Sequence, residues 1–446
     1  MRHSCYARAG AARLMSMSGI EPGTILLALV VFVATRLAVA DEHAFEAAVD
    51  LSAGKVLPSE LLRGEHHVVD DRVRSDGYLN YYTIRSDFGE LEAASTATLR
   101  TRIGEINALA ELDKLSKTEV FAEAAANAGK RQVRTLQAFA ARPVDTVKGI
   151  PKGVGRMFKR YKRQASEAVD STQEYIARDG EESGSDESEK NDDSNRAAGL
   201  TKSYFGVDKA QRAWSRKLGT DPYSSNEVLR AAIKEVAWAE RLCRFGMGFA
   251  GVPKIPGASI IGDVNEAVWS KDPYELRDLN QARLVATGAD EVLIEQYLDN
   301  PRMTPTQQTL LTAAIAELAD VENRDGMLRQ ALLPETEEEM NFQIRSAILL
   351  AWFHINSQAF VTVNTDGVLP AGITSSGTMV FLVAADHVYW SETISQAAAD
   401  HAELLGGGRH REVWLLGGAS NRCKDELESL GFDVHTDTAA LMEEGA

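Results

Sequence analysis

Four side chains near the C-terminus are of types that move protons: Asp386, His387, Ser420 and His435. Asp386 and His387 are neighbours, and with a substrate between loops they could work as an acid/base pair. Gly417 and Gly418 precede Ser420, which opens a helix; backbone N–H groups at such an opening could hold an anion. This rim carries no G-x-G-x-x-G, G-x-S-x-G or P-loop pattern, so the same residues also read as plain turn chemistry.

A second chemistry is electrostatic. Lys148, Lys152, Arg156, Lys159, Arg160, Lys162 and Arg163 put seven cations between Thr146 and Ser166 with no acidic residue among them. Val154, Met157, Phe158, Tyr161 and Ala165 recur at helical spacing and form an apolar stripe. A basic face beside an aromatic stripe suits a helix lying on an anionic membrane, each cation contributing about 1 kcal/mol near such a surface. It equally suits a partner protein, or a solvated helix packed on its own body. Directly after it, 179–195 holds eight acidic residues and one lysine, with no apolar side chain; nothing there offsets the entropy of ordering, which predicts a disordered tether.

Other clusters carry less. Glu65, His66, His67, Asp70 and Asp71 alternate across a predicted strand, so neither face gathers the three or four ligands a zinc site needs. They read as a polar strand start, and neither a metal nor a cofactor is expected. Small residues recur among apolar ones over 245–262, but Pro253 and Pro256 break that run well short of a membrane span, which predicts a packed loop.

The elements that must position these groups follow from periodicity. Residues 66–73 and 78–85 predict strands around an Asp76-Gly77 turn. Leu99, Ile103, Ile106, Leu109 and Leu112 make one helical face, and Ser116-x-x-Glu119 predicts the cap of the next helix. Ser224-x-x-Glu227, Asp272-Pro-x-Glu275, Thr304-Pro-x-Gln307 and Thr336-x-x-Glu339 each place a capping oxygen three residues ahead of Glu or Gln. Leu310, Leu311, Ile315 and Leu318 form one apolar face; Met340, Ile344, Ile348, Ala351, Trp352 and Ile355 form another. After residue 357 the period changes. Strands at 360–363 and 368–373 flank a turn, and 379–384, 412–416 and 432–435 alternate with two helices in a βαβαβ order that predicts parallel strands.

The expected fold is therefore mainly α with a small α/β unit. A signal peptide spans 1–40 and an α+β region 41–142. A basic amphipathic helix spans 143–178, and the acidic linker 179–195. An irregular helical bundle spans 200–357, and a C-terminal α/β domain with a parallel sheet spans 358–446. The signal rests on the apolar run 24–34, Arg2, Arg8 and Arg13 ahead of it, and Ala38-Val39-Ala40 before Asp41. Export would leave Cys243 and Cys423, which read as two buried thiols in separate regions or as a disulfide.

Composition limits the function classes. The 446 residues are 44% hydrophobic and carry a formal net charge of -17, which excludes a disordered chain and argues against whole-surface nucleic-acid binding. The leading expectation is an exported, non-enzymatic envelope protein whose basic segment docks on an anionic membrane surface or another envelope protein. The alternative is an enzyme or small-ligand binder that uses the strand-end rim.

Overall fold

In the computed structural model the chain divides after Glu46, and the architecture below belongs to its second unit, Ala47–Ala446. The structure describes residues 45–47, 50–119, 121, 123, 154, 157, 204, 206–240, 264–404 and 410–439. The expected signal peptide, the acidic linker, Cys243 and the small-residue run 245–262 lie outside the described residues. So do Lys148, Lys152, Arg156, Phe158, Lys159, Arg160, Tyr161, Lys162 and Arg163.

In chain order the elements are β1 (Leu51–Ser52), α1 (Ala53–Val56), α2 (Ser59–Leu62), β2 (His67–Val69), β3 (Arg72–Ser75), β4 (Asn80–Ser86), β5 (Gly89–Ala94) and α3 (Thr96–Ser116). There follow α4 (Lys209–Leu218), α5 (Glu227–Glu240), α6 (Val264–Ser270), α7 (Pro273–Val285), α8 (Glu291–Leu298), α9 (Pro305–Glu317), α10 (Gly326–Gln330) and α11 (Glu337–Asn356). The last group is β6 (Phe360–Asn364), β7 (Ala371–Thr374), β8 (Met379–Val383), β9 (His387–Val388), α12 (Glu392–Leu404), β10 (Arg411–Leu415), β11 (Gly418–Ala419), α13 (Asn421–Ser429) and β12 (Phe432–His435). The content is mixed α and β, about half helical.

The N-terminal strands make a curled antiparallel half-barrel. The 66–73 stretch is two strands rather than one. β2 pairs the far half of β4 (Val69 opposite Ile84) and β3 the near half (Arg74 opposite Tyr81). Asp70 and Asp71 make the break: Asp70 grips Arg85 through two bonds of 2.7 and 2.8 Å, and Asp71 accepts from Ser52. Gly77 closes the β3–β4 turn at φ 94°, a backbone region that Gly enters without strain. Of the neighbouring polar cluster, His66 meets Asp87 and His67 meets the Leu61 carbonyl oxygen. β4 serves two cores. Tyr82 and Ile84 join α3, α4 and α5, while Tyr81 faces the larger core of helices and the C-terminal sheet.

Leu99, Ile103, Ile106, Leu109 and Leu112 are all buried along α3. α9 is buried at every position from Thr306 to Ile315, so it is a central helix rather than a one-faced one. On α11, Met340, Ile344, Ile348 and Ala351 are buried, whereas Ile355, one residue from the helix end, is 51% exposed. The C-terminal sheet has the order β12-β10-β8-β7-β6. β8, β10 and β12 are parallel, with β7 antiparallel to its two neighbours. A small parallel pair, β9 with β11, sets Gly418 opposite His387. Cys423, on the inner face of α13, is buried.

The caps on α7 and α9 close in both directions: Asp272 with Glu275, and Thr304 with Gln307. Two others sit two residues later than expected. Asn226, not Ser224, caps α5 by accepting from Leu229 N–H, and Thr118, not Ser116, accepts from Phe121 N–H. At α11, Thr336 accepts from Glu339 N–H, but the Glu339 carboxylate turns to Glu335 N–H instead of closing the box.

Candidate functional site

The rim residues are drawn into the scaffold. Asp386 gives its two oxygens to Asn80 N–H (2.9 Å) and Thr96 N–H (3.0 and 3.2 Å), and its own N–H donates to the Tyr78 carbonyl. Burial pushes its pKa up, while those backbone bonds and Arg345 pull the other way. It therefore pins the half-barrel to the C-terminal sheet rather than serving His387 as an acid/base partner. The anion cradle expected at Gly417, Gly418 and Ser420 is spent on the neighbouring strand. Their N–H groups donate to the carbonyls of Ala385, Asp386 and Val388. Gly417 is needed for this approach, since a Cβ there would lie 1.9 Å from the Asp386 carbonyl oxygen. The Ser420 side chain caps α13 by accepting from Cys423 N–H. His435 stacks on Trp414 with ring centroids 4.0 Å apart.

Of the basic segment, Val154 and Met157 are described. Both are helical and buried in the larger core, and Val154 N–H donates to Asp76 at 2.9 Å. At least these two members of the apolar stripe face the protein's own interior.

Polar chemistry instead gathers in a cleft of about 110 Å³ between α3, the loop ahead of α5, the start of α9 and one face of α11. Helical spacing explains the two helix walls. Thr98, Thr101, Arg102 and Glu105 follow i, i+3, i+4, i+7 on α3; Glu337, Asn341, Ile344, Arg345 and Ile348 share one face of α11.

Glu105 is 2% exposed and fully engaged. It accepts from Arg102 (2.9 Å), Ser224 (2.5 Å) and Asn226 (3.0 Å). Ser224 donates its hydroxyl here while its oxygen accepts from the N–H of Asn226, the residue that caps α5. Arg102 continues through Ser225 (2.8 Å) toward Glu337, which accepts from Ser225 at 2.7 Å. Burial works against the Arg102 charge, but Glu105 and Glu337 outweigh it and hold the guanidinium firmly protonated.

Two groups in the cleft are left with capacity. Asp221 Oδ1 accepts from the Thr306 hydroxyl (2.6 Å) and Tyr223 N–H (2.9 Å), while Oδ2 takes no donor among the described residues. Burial pushes its pKa up to about 6; those two bonds oppose the shift and the Glu105 charge adds to it. Arg345 reaches only hydroxyls, Ser95 and Thr98 (3.2 Å). No carboxylate lies within 4.0 Å of it among the described residues. Burial pulls its pKa down to about 10, against more distant support from Asp386 and Glu337. Ser95 holds φ 88°, a region non-glycine residues rarely enter, as it caps α3 beside this guanidinium. Such strain concentrates at functional sites.

None of these cleft residues was singled out from sequence for chemistry. The available signals were charges inside apolar helical runs, Glu105 between Ile103 and Ile106 and Arg345 after Ile344. A buried charge must be paired or hydrogen-bonded, so each marks a polar site.

A second cavity of about 90 Å³ lies under α12 and α13, lined mostly by apolar side chains, with Tyr78 and His401 among them. His401 Nδ1 donates to the Ala397 carbonyl at 2.6 Å, and burial lowers the ring's pKa. Its lining is the apolar core of the C-terminal sheet and its two helices. Among the described residues no group of acids, histidines and cysteines could hold a metal ion, and no helix is long and apolar enough to cross a membrane. Neither a family model, nor a curated protein, nor a solved structure matches this chain.

Proposed function

We propose that the protein binds a small organic anion in the cleft between α3 and α11, with Arg345 as its charge partner. The observation that carries this is a guanidinium facing a polar cleft, bonded to hydroxyls only. Removing such a charge from water is costly unless a counter-charge is supplied, and a bound carboxylate supplies it in bidentate form. Thr98, Thr101 and Asn341 add neutral donors, and Leu310, Ile344 and Ile348 an apolar floor.

The test is thermal unfolding with acetate, lactate, glycerate or phosphate in turn. A ligand at about a hundred times its Kd adds about 2.7 kcal/mol of stability. At least one anion is expected to raise the melting temperature of the parent. Arg345→Gln is expected to abolish the rise, the loss of one charge-assisted pair being worth about tenfold or more in affinity. A rise that survives in Arg345→Gln would overturn the reading.

A second reading rests on the segregation of charge in the sequence. The seven cations between Thr146 and Ser166 sit in a chain of net charge -17, beside an acidic run. With the 24–34 segment as an export signal, they would meet an anionic membrane surface or an envelope partner. Burial of Val154 and Met157 makes any such docking electrostatic rather than insertive. The parent is expected to pellet with phosphatidylglycerol vesicles at low salt and release at high salt. Replacement of the seven residues by Gln is expected to stop it, and equal pelleting of both forms would remove this reading.

A further inference from the structure

We propose that the cavity under α12 and α13 binds a small uncharged, mainly apolar molecule that enters past Ala397 and His401. The site is separate from the α3–α11 cleft and does not depend on the anion reading. By alternation, Phe381 and Val383 of β8 and Val413 and Leu415 of β10 present one face of the C-terminal sheet to α12. The opposite face carries aromatic rings, where Phe353 of α11 lies 5.6 Å from Phe360 and 5.2 Å from Trp414. α12 brings Ile394, Ala397, Ala398 and His401 to its own face at positions i, i+3, i+4 and i+7. Two alanines there reach less far than the rings on the other face, and a space of about 90 Å³ lies between helix and sheet. Packed interiors keep few spaces larger than a water molecule, so one of this size with a way in marks a ligand pocket.

Size and charge define the class of ligand. An engineered apolar cavity of about 150 Å³ takes up benzene or xenon, so about 90 Å³ suits a molecule of about four carbon atoms. No carboxylate, ammonium or guanidinium stands among the described lining residues, so a charged ligand would lose its hydration without gaining a counter-charge. The imidazole of His401 is fixed in place. Its Nδ1 donates to the Ala397 carbonyl, Phe381 packs edge-on at 5.1 Å, and Gly367 lies so close that a side chain there would strike Nε2. Burial lowers its pKa, which keeps the ring uncharged at neutral pH. Most of the lining is buried, whereas Ala397 and His401 are partly exposed and form the entrance.

Methyl NMR of the full chain with xenon, isobutanol, isobutyrate and isobutylamine tests this. Xenon and isobutanol are expected to shift the methyl signals of Ile394, Val413 and Leu415 along saturable curves. Isobutyrate and isobutylamine keep the branched chain but carry a charge, and each is expected to bind at least about tenfold more weakly than isobutanol. Ala398→Leu places a larger apolar side chain inside the cavity and is expected to weaken both xenon and isobutanol by about tenfold or more. Ala397→Leu does the same at the partly exposed entrance, where the fold absorbs a larger side chain more easily, and is expected to act in the same direction.

If neither xenon nor isobutanol gives a saturable shift, the proposal is overturned and the cavity is a packing feature of the sheet. Isobutyrate or isobutylamine binding as tightly as isobutanol overturns the uncharged class. Unchanged affinity in both alanine variants places the probes outside the cavity and overturns the assignment as well. None of these results touches the anion reading, whose own test is Arg345→Gln.

Discussion

Asp221 makes the native state pH-sensitive in a direction unusual for a carboxylate. Its pKa stands at about 6 against 3.8 for the free group, so the folded chain holds that proton more tightly than the unfolded chain. Below the free value both states are protonated and the folded state keeps its full advantage. As pH rises from there through about 6 the unfolded chain ionises first, and stability falls. At 1.36 kcal/mol per pKa unit the loss reaches at most about 3 kcal/mol. Asp386, also raised by burial, acts in the same direction, so a substitution at 221 removes only its own share. Asp221→Asn preserves an acceptor for Thr306 and Tyr223 and removes the charge. Without ligand, its urea midpoint is expected to exceed the parent's at about pH 8, the two converging as pH falls toward about 4. Parallel midpoint curves over that range would show that Asp221 is not strained by its burial.

At the scale of elements, much of the scaffold was legible and the site was not, for the same physical reason. A helix start is a local event, so Asp272 and Thr304 could be recognised with the residues that answer them three positions on. Legibility failed where two polar residues competed within one short stretch. Asn226 and Ser224 each offer a capping oxygen, and only the distant Glu105 decides that Ser224 turns away. Apolar spacing found the buried faces of α3 and α11 but stepped over Arg102, Glu105 and Arg345 between them. The cleft combines segments near residues 98–105, 221–225, 304–310 and 337–348, which share no spacing and meet only when the helices pack. At the rim, Gly418 and His387 do sit opposite each other, but the work of Asp386 is set by Asn80 and Thr96, which lie 306 and 290 positions away.

That reach makes Asp386 the residue through which the whole fold and the cleft depend on each other. Its carboxylate receives the first N–H of β4 and the first of α3, and its N–H returns a bond to Tyr78. Around it Tyr78 packs edge-on to Phe342 of α11 with centroids 5.8 Å apart. The same turn of α3 carries Ser95 and Thr98, the hydroxyls that hold Arg345. Asp386→Ala would leave two buried N–H groups without acceptors, about 1 to 3 kcal/mol each, and remove a charge that supports Arg345. The cost should fall first on the half-barrel side, where the donors are. Amide hydrogen exchange of the variant is expected to speed up over 80–116 while 379–415 keeps its protection, and anion-induced stabilisation should weaken because the α3 wall has loosened. Exchange that rises equally in both segments would mean that the carboxylate only adds to global stability. Exchange that rises in neither would mean that packing around Tyr78 and Phe342 holds the two sheets together without it.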